Sequence, residues 1–509
     1  MRVLTAAEAR ALDEAAIVDF GIPGLLLMEH AARAVAEAAR ARLGPGGRVA
    51  VVTGAGNNGG DGWAAARLLH AAGAPVRVFH LIDPDELRGD AATNAAIWMR
   101  LGSASPFAEQ ALDYVGAGDV VIDAIFGTGL SRPPEGDFAA AIDAINAARV
   151  RGAKVVAVDV PSGLSADTGR PPGAVVQADC TVTFAARKRC HVLFPGVELC
   201  GEVEVADISI PPQAFLRLEA RVRLLHEQWV RNLLPERAAD THKGTFGDLL
   251  VVAGSQGKSG AAAMCAKAAL VGGAGLVTVA TRRDALPQVL AHTMEAMGLE
   301  LPGAGALGPG DEEALLEAAA GRDAILVGPG IPRGEATGAL VARLLAEASC
   351  PLLLDADALN ALQGQTDAFL DANVEVVITP HPKEMARLAG ISVAEVQADR
   401  IGVAQRFARG HRCTVVLKGA HTVIADPDEE VAICPTGNAG MSTAGSGDVL
   451  GGLIAALLAQ GLPASAAARV GVYVHGLAGD RRARVRGQAG LVAGDLIEGI
   501  AEVWAEWKR

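Results

Sequence analysis

The sequence predicts two α/β domains in tandem, each a parallel sheet flanked by helices. Three observations carry this. Short runs such as RVAVVTG (48–54), DVVIDAIFG (119–127) and KVVAVDVPSG (154–163) are apolar on both faces, as strands inside a parallel sheet are. Ala-rich helical stretches such as WAAARLLHAAG lie between them, and repeated βα units build a parallel sheet. The rhythm breaks once, at SIPPQ (209–213), and restarts at GDLLVVAGS (247–255) after a charged stretch, RLEARVRLLHEQWVRNLLPER. The 509 residues suffice for two or more domains, with the division at 211–225.

Composition narrows the function. Half of the residues are hydrophobic but only 4% are aromatic, so the core is expected to consist of small aliphatics. A net charge of −13 argues against nucleic acid or an anionic membrane as partner. No run of 18 uncharged apolar residues predicts a membrane span. The N-terminus, MRVLTAAEARALDEAA, does not read as a secretory signal. Seven cysteines, at 180, 190, 200, 265, 350, 413 and 434, are scattered without a CxxC. That pattern fits reduced thiols in a cytoplasm better than a disulfide framework or a zinc site.

In the first half, PVRVFHLI (75–82) and CTVTFAA (180–186) complete the expected strands. TGAGNNGGDGWAAARLL (53–69) follows a strand and opens a helix, and Gly54, Gly56 and Gly59 satisfy GxGxxG. Backbone amides there suit a phosphate at a helix N-terminus. A dehydrogenase would add an acid after the next strand, for which Asp83 is a candidate; a tight βα turn with an Asp cap also fits. IDAIFGTGLSRP (122–133) and VDVPSGLSADTG (158–169) place Asp123, Asp159 and Ser162 at strand ends, where open α/β sheets bind ligands. Asn58, Asp123 and Ser162 offer hard oxygens to a cation, and one carboxylate with neutral oxygens suits a monovalent ion. Asp159 is left for acid–base work.

These motifs, NNGGDG (57–62), DAIFGTGLSRP (123–133) and DVPSGL (159–164), resemble the YjeF N-terminal domain, the NAD(P)H-hydrate epimerase, over residues 1–215. The resemblance implies a Rossmann-like three-layer sandwich over residues 1–218. It also implies a substrate site at Asn57, Asn58, Gly59, Gly60, Asp61, Gly127, Thr128, Gly129, Leu130, Ser131, Arg132, Pro133 and Asp159. Potassium would sit at Asn58, Asp123 and Ser162. Lys188 matches a lysine of that family, with Cys190 where the family more often carries glycine.

In the second half, LVTVAT, AILVGPG, PLLLDAD, VEVVITPHP and TVVLKGAHTVIAD read as strands. GSQGKSG lacks Walker A spacing but can wrap amides around a polar ligand, or serve as a plain turn. His381 is held between two prolines in TPHPKEMARL; it fits a ligand contact or a solvated loop. Lys418-Gly lies at a turn between strands, where it can meet phosphate oxygens. In TAGSGDVLGG (443–452), Gly445 and Gly447 let N–H groups converge on an anion beside a helix start. The helix field is expected to keep Asp448 ionised, ready to take a hydroxyl proton during phosphoryl transfer. An N-cap role would explain Asp448 alone.

GSGD after such strands resembles the ribokinase-like superfamily. HKGTFGDLLVVAGS, GAGLVTVAT (273–281), DADALN (355–360), TPHPKEMARL, VLKGAHTVIA, NAGMSTAGSGDVLGG (438–452) and GLVAGDLI (490–497) together resemble the NAD(P)H-hydrate dehydratase, the YjeF C-terminal domain. This implies a ribokinase-like three-layer sandwich over 224–509. Ala261, Gly330, His381 and Asp448 would contact the hydrated nucleotide; Lys418, Gly419, Ala420, His421, Thr422 and Gly447 would hold the adenine nucleotide. The resemblances imply a cytoplasmic bifunctional enzyme with Asp448 and Asp159 catalytic. It would epimerise the R and S hydrates NADHX and NADPHX and dehydrate the S form, converting ADP to AMP and phosphate. Potassium in the first domain, Mg2+ in the second and a homo-oligomer, tetramer or higher, come with them. A small-molecule kinase, and a first domain reduced to a binding module, are the rival classes.

Overall fold

The computed structural model describes residues 1–508 other than 131, 304 and 429. The chain divides into two compact units, Met1–Val222 and Arg223–Arg509.

The strands of the first unit are β1 (Val3–Leu4), β2 (Val49–Thr53), β3 (Val76–His80), β4 (Ala104–Pro106), β5 (Val120–Ala124), β6 (Lys154–Val158), β7 (Cys180–Phe184), β8 (Arg187–Lys188) and β9 (Glu202–Ala206). Seven form one parallel sheet in the order β4-β3-β2-β5-β6-β7-β9. β1 and β8 form a separate parallel pair that sets Leu4 opposite Lys188. β2 and β5 are buried at every position, the both-faces-apolar pattern read from sequence. The strand order reverses between β2 and β5, and a ligand crevice opens at such a point, outside the carboxyl ends.

Three helices shape that crevice: α1 (Ala6–Glu14), α2 (Gly24–Arg42) and α3 (Asn57–Ala71). α3 starts four residues after β2 and buries Trp63, Ala64, Ala65, Ala66 and Leu69. A Cβ on Gly59 would lie 2.1 Å from the Gly54 oxygen, so only glycine lets the helix turn back this closely on its strand.

The second unit has β10 (Val222–Leu224), which straddles the division, then β11 (Asp248–Val252), β12 (Leu276–Arg282), β13 (Met297–Leu301), β14 (Ala324–Val327), β15 (Leu352–Leu354), β16 (Val376–Ile378), β17 (Thr414–Leu417), β18 (Val423–Ala425) and β19 (Val431–Ile433). Their order is β10-β19-β18-β17-β16-β15-β14-β11-β12-β13. The sheet is parallel from β17 through β13, and β17-β18-β19 is antiparallel. Its reversal lies between β11 and β14. The apolar run LIAALLA (453–459) closes helix Ser446–Ala459, which is buried from Val449 to Ala459. Leu453, Ile454 and Leu457 are fully buried, each contributing roughly 1.5–3 kcal/mol. A Cβ on Gly452 would meet the Cys265 oxygen at 2.2 Å, so glycine permits the close crossing of helix Ser259–Val271.

Candidate active sites

In the first unit, α1 opens with a reciprocal cap. The Thr5 hydroxyl accepts the Glu8 N–H at 3.1 Å, and Glu8 Oε2 accepts the Thr5 N–H at 2.7 Å. Burial of Ala9 and Leu12 then fixes the helix so that Asp13 stands at a cavity mouth. The cavity offers about 120 Å³ to water-sized groups and opens to solvent. Its polar lining includes Asp13, Asn57, Asp61, Thr128, Asp159 and Lys188.

Asp159 follows β6 in the left-handed region, φ 64, and its carboxylate is tightly held. Oδ1 accepts from Lys188 Nζ at 2.6 Å and from the Thr183 hydroxyl at 2.8 Å. Lys188 Nζ also donates to Thr183 Oγ1 at 3.0 Å and the Phe184 oxygen at 3.1 Å. Burial raises the Asp159 carboxyl, but Lys188 more than offsets this and holds it below the usual range. His191 braces the pair. Its Nδ1 accepts the Lys188 backbone N–H at 2.9 Å, so Nε2 carries the proton and donates to the Asp159 oxygen at 3.0 Å. Burial, then Lys188, lowers the His191 pKa to about 3, so the ring is neutral.

Two other carboxyls behave oppositely. Asp61 is pushed well above the ordinary range by burial, then by Asp159 and Asp13. Asp13, exposed at the mouth yet poorly hydrated, rises to about 6 through desolvation, with Asp159 adding and Lys188 opposing.

Of the expected cation trio, two residues are bonded to each other and the third lies by the loop that follows β5. Asp123 and Ser162 meet directly: Ser162 N–H donates to Oδ2 at 2.8 Å and its hydroxyl to Oδ1 at 2.5 Å. Asp123 is wholly buried; this lifts its carboxyl to about 6 against the bonds from Ser162 and Ile125. Asn58 lies by the β5 loop, where a Cβ on Gly127 would be 2.8 Å from its Oδ1, and its Nδ2 is buried without a hydrogen bond. Of that loop, Thr128 lines the cavity; Gly129 and Arg132 are exposed, Leu130 is half-buried, and Pro133 approaches Gly173. A Cβ on Gly60 would lie 2.8 Å from Sδ of Met28 on α2, and Met28 itself lines the cavity. Ser131 lies outside the described residues.

In the second unit the strand ends converge. Asp355 follows β15 and, at 1% exposure, accepts from Lys418 Nζ at 2.7 Å on Oδ1. Burial lowers Lys418, but Asp355 and then Glu384 raise it further, so it stays charged. A Cβ on Gly447 would sit 3.4 Å from Lys418 Nζ and 3.9 Å from Asp355 Oδ2. The GSGD turn therefore stands over this ion pair.

Asp448 is the third residue of its helix; the cap is Gly445, left-handed at φ 88. The N-cap explanation does not hold. Nor does the helix field decide its ionisation: burial, then Asp355, lifts the half-buried carboxyl to about 6, against Lys418. Burial and a like charge outweigh the partial charge of a helix end.

His381 is an N-cap. Its Nδ1 accepts the Lys383 and Glu384 N–H groups, both at 3.1 Å, which leaves the protonated Nε2 beside Glu384 Oε1 at 3.4 Å. Gly330 and Ala261 are brought together: a Cβ on Gly330 would lie 3.2 Å from Ala261 Cβ and 3.1 Å from Lys258 Cβ. Lys258 reaches Asp357 at 3.1 Å, and Asp357 is in turn a charge felt by Asp448. After Lys418, Gly419 and Ala420 are exposed, His421 has φ 52, and the Thr422 hydroxyl donates to the Gly419 oxygen at 3.0 Å.

Sequence reasoning overlooked Asp13 and did not place Asp355 in the site, although DADALN displays it. Cys190, His191 and Cys200 hold potential ligand atoms within 4.8 Å of one another. Both His191 nitrogens are already hydrogen-bonded, so the trio is core packing and not a zinc site.

Comparison with known proteins fits this arrangement. Residues 24–190 match the family described as YjeF-related protein N-terminus, and residues 249–502 match NAD(P)H-hydrate dehydratase. The chain is 46% identical to a bifunctional NAD(P)H-hydrate repair enzyme of Moorella thermoacetica, over 98% of this chain and 96% of that one. It is 42% identical to its counterpart in Thermofilum pendens, over 98% and 95%. The crystal structure of an ADP/ATP-dependent NAD(P)H-hydrate dehydratase from Bacillus subtilis, with ATP/Mg2+, matches at 32% identity and a TM-score of 0.50, covering 55% of this chain and 97% of that one. A ribokinase-like superfamily protein of Enterococcus faecalis matches at 26% identity and 0.51, covering 57% and 98%. With both domain types present and full-length relatives of one kind, the chain belongs to the family of bifunctional NAD(P)H-hydrate repair enzymes.

Proposed function

We propose that residues 1–218 epimerise the R and S hydrates of NADH and NADPH and that residues 224–509 dehydrate the S hydrate, converting ADP to AMP and phosphate. The observation that carries the second activity is the placing of Asp448 and Gly447 above the Lys418–Asp355 pair. Hydroxide is a poor leaving group. Asp448 takes the proton of the C6 hydroxyl, whose oxygen attacks the terminal phosphorus while the phosphoanhydride bond breaks. Lys418 and the amides of the GSGD turn stabilise the transferring charge. The ring nitrogen then expels phosphate, and loss of a C5 proton restores the dihydronicotinamide. A kinase would stop at the phosphate ester.

Residues 418–422 and Gly447 hold the nucleotide, and Ala261, Gly330 and His381 the hydrate. Mg2+ would ride on the nucleotide's phosphate oxygens and neutralise their charge, since Asp357 is already engaged by Lys258 at 3.1 Å and Arg333 at 3.2 Å and Asp448 stays free to take the proton. In the first unit, Asn57, Asp61, Thr128 and Asp159 face the substrate, with Lys188 fixing Asp159. Potassium fits the oxygens of Asn58, Asp123 and Ser162. Asp123 is a buried carboxyl whose charge is opposed by burial and met by no cationic side chain among the described residues. Bound there, potassium would supply that charge. Cytoplasmic residence and assembly as a tetramer or higher belong to the same proposal; light scattering tests the latter.

The direct experiment incubates the full chain with mixed hydrates, with and without ADP, and follows the absorbance of reduced nicotinamide. Complete recovery of both epimers with ADP, and none without, is expected. Formation of a stable phosphorylated product with no reduced nicotinamide would overturn the dehydratase assignment.

A further inference from the structure

We propose that Asp61 is a second catalytic residue of epimerisation, an acid that works opposite the base Asp159. The inference rests on the first-unit cavity being the epimerase site. Asp61 projects from the first turns of α3 into that cavity. It is only 7% exposed, yet it has no hydrogen bond or ion pair among the described residues. An unpartnered buried carboxyl costs stability, so its place on a cavity wall points to use.

The charged groups facing Asp61 are Asp13 from α1, Asp90 from helix Gly89–Trp98, Asp159 after β6 and Lys188 on β8. Lys188 is committed to Asp159, Thr183 and the Phe184 oxygen. Carboxyls sharing so little positive charge cannot all ionise. Asp159 keeps its charge because Lys188 holds it; Asp61 keeps its proton because burial, Asp159 and Asp13 oppose its loss. Two carboxyls whose proton affinities are driven apart form an acid and a base.

The step balances without oxidant or added water. Asp159 accepts the C6 hydroxyl proton. The C6–O bond becomes a carbonyl as the electron pair of C6–N1 leaves with nitrogen, and Asp61 gives its proton to N1. Rotation about C5–C6 in the opened aldehyde presents the other carbonyl face. The reverse transfers close the ring with inverted configuration and return each proton.

The test uses the full chain with Asp61→Asn, an isosteric change, and Asp61→Glu. Epimerisation is read from the R hydrate supplied alone, and dehydration of the S hydrate serves as internal control. For Asp61→Asn we expect kcat for epimerisation to fall at least about 100-fold, KM to stay within about threefold and dehydration to be unchanged. Asp61→Glu should recover part of the rate. The wild-type rate should fall on the alkaline side, and Asp13→Asn should move that limb to lower pH by removing a charge that favours the Asp61 proton. Full epimerisation by Asp61→Asn, or a loss confined to KM, would overturn the proposal. Asp159→Asn separates the two claims: if it too epimerises normally, the cavity is not the site.

Discussion

Lys418 Nζ lies 2.7 Å from Asp355 Oδ1, and the carboxylate is almost wholly enclosed. A buried pair adds little net stability, but removing one member strands the other. Lys418→Met should therefore lower unfolding stability by about 3–5 kcal/mol, read by urea denaturation of the second unit's transition. Lys418→Met with Asp355→Leu together should cost less than Lys418→Met alone. Equal losses would show that no stranded charge is involved.

Asp448→Asn addresses the base. The expected result is a fall of 100-fold or more in ADP-dependent dehydration, with nucleotide still bound, by roughly the factor general-base catalysis supplies. The pH dependence has a definite sign. The carboxyl is raised from 3.8 to about 6, so the rate should fall with pH as the carboxylate is protonated below about 6. Folding stability moves the other way. The folded state favours the protonated form, so stability is greatest below the unfolded pKa and decreases by about 3 kcal/mol as pH rises through about 6. Asp448→Asn should lack that decrease and be the more stable protein at pH 8. A variant that dehydrates at the wild-type rate would remove the base assignment.

Much of the scaffold was legible, for a physical reason. β2, β5 and β14 are buried on both faces, so their apolar runs record their position. β1 and β8, of two residues each, have no pattern to read, yet their pairing sets Lys188. The site divides the same way. Gly-rich turns after strands announce themselves because backbone approach forbids a side chain, as at Gly59. Asp13 looks like a solvated helix acid; only packing across the chain brings it into the cavity of Asp159 and Lys188. The ionisation of Asp448 could not be read either, because it is governed by burial and by Asp355.

The Asp123–Ser162 contact yields a test of the cation proposal that does not depend on activity. If potassium compensates the Asp123 carboxylate, potassium chloride should raise the melting temperature of the first unit above that in choline chloride at equal ionic strength. At a potassium concentration 100 times the dissociation constant the linkage is about 2.7 kcal/mol. Asp123→Asn should abolish the difference, and Ser162→Ala should demand more potassium for the same shift. An identical melting temperature in the two salts for the wild type would rule out the site.

Gly447→Ala separates binding from folding. The residue is the second of its helix, and its backbone is not in the left-handed region, so alanine fits the local conformation. The added methyl would make ordinary contact at 3.4 Å from Lys418 Nζ, which the fold tolerates. Helix propensity even favours alanine, by up to about 1 kcal/mol. A phosphate approaching the turn's amides would meet that methyl instead. Stability should be unchanged or slightly raised, while the dissociation constant for ADP, measured by calorimetry, should rise at least about tenfold, or about 1.4 kcal/mol. If ADP binds the variant as it binds the wild type, the phosphate does not lie against the GSGD turn, and the nucleotide must be placed elsewhere along the strand ends.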